Sequence, residues 1–308
     1  MKSAWLLAVL VAQATNLVSA AAYDLEMRVR LFSKEIVFGD PLYMEVTIVN
    51  GGKSSVIAPP PLFSSYKTQL NIEKLPARLI TYAGPEGDVG GEAAVRPNNF
   101  KNFLIGDSTA MEYRPGEPHK HYWFFLLPSM HDLEFKRPFW KHLEEDETLA
   151  VWLSYNVEYT GRSPRLALLS AVQHIRINKR PDEEIKSLEK WFEGQDHKGK
   201  GDAPEMGPDP GDFRIFSSAR NRKQTREFAE AVKIGELADL LQFTLLLQDV
   251  FHAAPEAKPA AEARFMAKLR AQPDIKRQAL ARQLFADTHN GLSRAAYEAI
   301  KVIAEVDW

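Results

Sequence analysis

The sequence predicts an all-β antiparallel sandwich, followed by a flexible linker and a small all-α helical bundle. Three observations carry this expectation. Up to about residue 178, apolar residues recur with a period of two, in short runs bracketed by turn-forming residues. Between 195 and 212 large apolar side chains almost vanish. Beyond that stretch the apolar residues recur at helical spacing to the end of the chain.

The first twenty residues, MKSAWLLAVLVAQATNLVSA, hold one charge, Lys2, then an apolar run and the small residues Val18, Ser19 and Ala20. That layout predicts a signal peptide over 1–20. Its apolar core is much shorter than the roughly 20 residues a membrane-spanning helix needs. No Asn-X-Ser/Thr sequon occurs. The expected setting is that of an exported bacterial protein, secreted or periplasmic. The chain has no cysteine, so its fold must rest on its core without disulfides. Net charge is −2, and −3 once Lys2 leaves with the leader (38 basic against 41 acidic residues). A surface this balanced argues against nucleic acid as a partner, and no later stretch reads as a stable membrane span.

Residues 23–178 read as the sandwich. Leu25, Met27, Val29 and Leu31 alternate with Glu26, Arg28 and Arg30. In FGDPLYMEVTIVN, Leu42, Met44, Val46 and Ile48 are expected to face the core, and Tyr43, Glu45 and Thr47 the solvent. Gly39-Asp40-Pro41 and Asn50-Gly51-Gly52 bracket that run with turn chemistry. Further strands are expected in KTQLNIEKL, PHKHYWFFLL, ETLAVWLSYNVEY and, as one unit, LALLSAVQHIRIN. Pro115-Gly116 suits the two central positions of a type II turn.

The set formed by FGDPLYMEVTIVN, YRPGEP and WLSYNVEY resembles the immunoglobulin-like β-sandwich modules of exported bacterial proteins, at fold level and over residues 24–178. The resemblance implies two packed antiparallel sheets with binding loops at their ends.

After residue 178 the period changes. Asp182 as a cap, followed by Glu183, Glu184, Ile185, Leu188 and Trp191, predicts a connecting helix within 179–194. The Gly-, Pro- and charge-rich stretch 195–212 reads as a flexible linker. Residues 213–308 read as a helical domain. One long helix is expected from Thr225 to Phe251, then shorter ones from Pro259 to Arg270, Ile275 to Ala286 and Ser293 to Glu305.

Chemistry-bearing motifs are few. Gly106-Asp107-Ser108 resembles the opening of a lipase and acylhydrolase family, but the matching Asp-X-X-His is missing, since Asp287-Thr288-His289 is one residue short. The tripeptide reads as a turn between strands. His119 and His121 fall on one side of a strand, the spacing two imidazoles need to hold one metal ion. His131, Glu134 or His142 would supply a third ligand. Tyr122–Phe125, Phe139, Trp140 and Trp152 would serve either as core or as a sugar-stacking platform. Arg220, Arg222, Lys223 and Arg226 crowd a helix entrance, where cations oppose the dipole.

Together these readings predict an exported non-catalytic binding or structural protein, with a protein or polysaccharide partner outside the cytoplasm. No catalytic residue is assigned. The candidate binding residues are Arg114, Glu117, His119, His121 and Trp123, together with the loop Tyr82 to Asn99. No cofactor is expected beyond a metal ion at His119 and His121. The alternatives are a metal-dependent or carbohydrate-active enzyme using that histidine pair, and an exported protease inhibitor.

Overall fold

The computed structural model describes residues 24–58, 68–74, 78–82, 111–126, 131–132, 137–138, 148–157, 166–188, 219–287 and 292–304. The segments read above as signal peptide (1–20), as the loop from Tyr82 to Asn99 beyond Tyr82 itself, as the Gly106-Asp107-Ser108 turn and as linker (195–212) lie outside them.

Strands β1 (Leu25–Leu31), β3 (Pro41–Asn50) and β8 (Pro118–Leu126) form an antiparallel sheet in the order β1-β3-β8. A second sheet runs β2 (Glu35–Val37), β13 (Gln173–Asn178), β11 (Thr148–Val157), β5 (Thr68–Lys74), β6 (Arg78–Tyr82), with β12 (Leu166–Leu169) also on β11. Strand β13 pairs with β2 in parallel. Two ribbons complete the strands: β4 (Val56–Ala58) with β7 (Met111–Tyr113), and β9 (His131–Asp132) with β10 (Arg137–Pro138).

Among the described residues six helices follow: α1 (182–188), α2 (Ala219–Ala231), α3 (Gly235–His252), α4 (Lys258–Arg270), α5 (Asp274–Asp287) and α6 (Arg294–Ile303). Ser293 caps α6, its hydroxyl accepting from the Ala296 amide at 3.2 Å.

The chain is a mixed structure of helices and strands, and this overturns the expected all-β sandwich with an appended bundle. Among the described residues neither sheet closes into a sandwich or barrel. The helices also do not stand apart: one hydrophobic core runs from Met27 and Val46 through Val151 and Ile175 to Phe243, Phe265 and Leu284. The reason is visible on β3. The alternation in its sequence predicts one wet face, yet Tyr43 and Glu45 on that face are buried, like Met44 and Val46. Helix α5 covers them. Its Lys276 ammonium sits 5.5 Å from the Tyr43 ring centroid and its Arg282 guanidinium 5.4 Å from that of Tyr122. On this face Tyr43 meets the cationic side of α5, and Glu45 is held by Arg30, Lys120 and Tyr122 of the flanking strands.

Two further elements differ from expectation. LALLSAVQHIRIN forms two strands, not one, because β12 pairs with Ser154–Val157 and β13 with Thr148–Val151 of the same long strand. Between them the Ser170 hydroxyl accepts the Leu153 amide at 2.9 Å, supplying the bond that a continuous ladder would have given. The long helix expected from Thr225 to Phe251 breaks into α2 and α3 at Gly235, whose φ of 78° is left-handed.

That break serves a buried ionic cluster. Arg180, with no exposed surface, donates to the Phe38 carbonyl (2.5 Å), the Glu184 carboxylate (2.6 Å), the Ile234 carbonyl (2.9 Å) and the Asp40 carboxylate (2.7 Å). Asp40 also accepts the amides of Val37 and Leu237, each at 3.0 Å. The Lys233 amide donates to Glu184. One guanidinium therefore ties the β2–β3 corner to α1 and to the α2–α3 junction. Asp40, read from the sequence as a turn residue, is one of its two counter-ions, with Glu184.

Candidate functional site

The five candidate binding residues fall into two environments that meet at one end of the first sheet. Arg114 and Glu117 are exposed at the ends of a tight turn. The Glu117 amide donates to the Arg114 carbonyl at 3.2 Å, and Gly116 between them has a φ of 74°. Those are the marks of the type II turn that Pro115-Gly116 predicts.

Asn50, fully buried, fixes this turn to the sheet. Its side-chain amide donates to the carbonyls of Tyr113 (2.7 Å) and Ser54 (2.8 Å), and its side-chain oxygen accepts the Gly52 amide (2.9 Å). Its backbone carbonyl accepts the Gly116 amide at 2.8 Å. Sequence reasoning gave Asn50 only a strand-ending role. No sequence signal indicates that it would reach across 63 residues to Tyr113.

Beside the turn, the β4–β7 ribbon buries Val56 and Ala58 and presents Ile57, 64% exposed, paired across the ribbon with Glu112. Glu112 and Arg114 form an exposed ion pair at 3.2 Å, which contributes little stability. The Ser55 hydroxyl and Arg114 hold the Glu112 carboxyl below its ordinary value.

His121 and Trp123 lie inside. On the first sheet they stand opposite Val46 and Met44, on the core face, and both are buried. Their rings stack at 6.1 Å with an interplanar angle of 17°. His119, half-buried and opposite Ile48, meets the Tyr113 ring edge-on at 4.9 Å. Burial, with the charges of Arg282 and His119, lowers the His121 pKa from 6.5 to about 3, so its imidazole is neutral at physiological pH. Nε2 of each histidine is buried and has no hydrogen-bond partner among the described residues. The structure thus brings the two imidazoles to one face, as their spacing predicts. No group of three or more His, Asp or Glu residues able to hold a metal occurs among the described residues. The side chains of His131, Glu134 and His142 lie outside them.

The opposite face is polar and structural. Glu45 pairs with Arg30 at 2.9 Å and Lys120 at 3.6 Å. Burial pushes its carboxyl up, but bonds from Arg30 and Tyr122 outweigh that and hold it below the ordinary value. Arg282 donates to the Lys120 carbonyl at 3.2 Å, occupying β8 at the border of the sheet. Lys276 joins α5 to Glu236 and Asp239 of α3, and Lys268 of α4 also binds Asp239. Of the aromatics considered as a sugar platform, Tyr122 and Trp123 are buried and Trp152 is half-buried. The side chains of Phe124 and Phe125, and the residues Phe139 and Trp140, lie outside the described ones. In the basic cluster, Arg222 pairs with Asp249 across α2 and α3, while Lys223 pairs with Glu227 at 3.8 Å. No helix among the described residues is long and apolar enough to cross a membrane.

No family model matches the chain, and no curated protein matches it. Among solved structures it is similar to the sporulation control protein Spo0M of Bacillus subtilis, at 13% identity and a TM-score of 0.26, over 56% of this chain and 55% of that one. It is similar to a β-glucosidase from Listeria innocua in complex with glucose, at 13% identity and a TM-score of 0.26, over 50% of this chain and 16% of that one. Astrotactin-2 aligns at 11% identity and a TM-score of 0.25, over 83% of this chain and 38% of that one. Likenesses this weak carry no argument about function, and none confirms an immunoglobulin-like module.

Proposed function

We propose that the chain is an exported, non-catalytic binding protein whose contact surface is the Arg114–Glu117 turn with the outward face of the β4–β7 ribbon. The observation that supports this is the combination of exposure and fixation at one place. Arg114 and Glu117 face water, while Asn50 holds the backbone between them from below. A loop already ordered has less conformational entropy to lose on binding. Exposed Ile57 among Glu112, Arg114 and Glu117 offers an apolar anchor within a charged rim, the composition of a protein contact. That composition favours a protein partner over a polysaccharide. Export rests on the leader-like residues 1–20.

The test is capture from native envelope extract with the chain lacking residues 1–20, against an Arg114→Glu/Glu117→Lys double variant. Both residues are exposed, so the variant should keep its circular dichroism and its melting temperature. A protein retained by the parent and lost from the variant supports the reading, and a captured protease would make the turn inhibitory. Equal capture by both chains, or capture of glycan alone, would overturn it.

A further inference from the structure

The first sheet has two outer edges, and only one of them is covered among the described residues. The register of β1 on β3 fixes which backbone groups face which way. The Gly51 amide donates to the Asp24 carbonyl (2.6 Å) and the Phe32 amide to the Tyr43 carbonyl (2.9 Å). Even-numbered residues of β1 therefore turn their amides and carbonyls toward β3. Leu25, Met27, Val29 and Leu31 direct theirs to the opposite side, away from the sheet. On β8 the same alternation points the Lys120 carbonyl outward, where Arg282 of α5 takes it. On β1 the order of strands ends, and β12, which approaches it, pairs with β11 instead.

We propose that this edge joins two copies of the chain. Their β1 strands pair antiparallel about a two-fold axis at Met27, and the two three-stranded sheets become one.

Charge selects both the occupant and the register. Glu26, Arg28 and Arg30 share the outer face of β1, with side chains 60%, 63% and 60% exposed, and Asp24 is exposed before them. Charges along an edge ordinarily keep other strands away. Here their signs cancel in one self-pairing. An axis at Met27 sets Glu26 opposite Arg28 of the second copy and Asp24 opposite its Arg30, each twice by symmetry. An axis at Arg28 would set that residue against itself. The favoured register also suits the backbone. Met27 faces Met27 and Leu25 faces Val29, so the residues that meet in bonded pairs are those whose amides and carbonyls point outward. Their side chains stay with the core of their own copy. Arg28 would exchange Glu26 of its own strand for Glu26 of the second copy, while Arg30 holds Glu45 with one nitrogen and has others to spare. Exposed ion pairs each contribute little, so they choose the register while the backbone bonds hold it.

The test is sedimentation equilibrium of the chain lacking residues 1–20. With rising concentration the mass should pass from that of one chain to that of two. Glu26→Arg and Arg28→Glu each place like charges opposite one another, and each alone should weaken the dimer by about tenfold or more. Both positions are exposed, so circular dichroism should not change. An equimolar mixture of the two variants should dimerise like the parent, because opposite charges then face each other again, and so should the double variant Glu26→Arg/Arg28→Glu. In hydrogen exchange, the amides of Leu25, Met27 and Val29 should slow as the dimer forms, while those of Glu26, Arg28 and Arg30 are protected throughout by β3. The Arg114→Glu/Glu117→Lys variant should dimerise unchanged, which separates this edge from the turn surface. A single-chain mass at every concentration, a dimer indifferent to both single substitutions, or variants that stay apart when mixed would each overturn the assignment.

Discussion

Arg180 and Asp40 lie 140 residues apart in the chain and meet at 2.7 Å with both side chains withdrawn from water. A pair this deep is not a source of stability by its charges alone, because both ions lose their hydration. Its effect is to specify geometry. Nε and Nη1 of Arg180 reach three further groups: the Phe38 carbonyl, Glu184 of α1 and the Ile234 carbonyl before α3. The pair thus sets where the helices sit on the sheets.

Removing one partner leaves the others buried and uncompensated. Arg180→Met should therefore lower the unfolding free energy by about 3–5 kcal/mol in urea titrations. A loss under about 1 kcal/mol would mean that the cluster does not hold the elements together.

Gly235 has a second reason to be glycine besides its left-handed φ. A Cβ there would stand 2.4 Å from Oδ1 of Asp40. Gly235→Ala should cost about 1–2 kcal/mol for the backbone alone, plus the displacement of Asp40. Because both substitutions act on Asp40, Gly235→Ala and Arg180→Met should be strongly non-additive in a double-mutant cycle. Simple additivity would show that the glycine acts only through its own backbone.

These two positions show what the sequence makes legible. The period of two located β1, β3, β8 and β11, since burial of one face is written into the chain itself. The type II turn at Pro115-Gly116 was legible for the same local reason. What burial pattern does not encode is the occupant of the other face. Tyr43 and Glu45 look like solvent positions in β3, and only α5, more than 200 residues on, reveals that they are not. The partners of Asn50 and Arg180 are set by tertiary approach, which no local pattern encodes. In the sequence, Asn50 looks like any turn residue and Arg180 like the end of a strand. Of the candidate site, the residue types were legible, but their division into an outer turn and an inner histidine pair was not.

Asn50 offers a test of the fixation argument. Asn50→Ala would leave the carbonyls of Tyr113 and Ser54 and the Gly52 amide without their partner. The cost should be about 1–3 kcal/mol per group left buried and unpaired, with a total below their sum because Ser54 and Gly52 can reach water. Amide hydrogen exchange should rise over 50–54 and 111–117 and stay unchanged in α3 to α5. Exchange rising equally everywhere would show a global loss of stability, not the release of one turn.

Acid should destabilise the protein through His121. Its folded pKa, about 3, is below the ordinary 6.5, so the unfolded chain binds the proton first as pH falls. The stabilisation is complete above pH 6.5 and is lost between there and about 3, at a slope of up to about 1.4 kcal/mol per pH unit. Asp40 acts in the opposite sense. Burial raises its pKa despite the Leu237 amide and Arg180, so its contribution declines as pH rises through that raised value. The two trends overlap, and the informative quantity is the difference between the parent and His121→Leu. The variant, of similar volume, should lose close to one proton of pH dependence between pH 6 and 4 in urea titrations while keeping the Asp40 trend. Parallel profiles would mean that His121 is solvated or already charged in the folded state, and that its ring does not lie in the core.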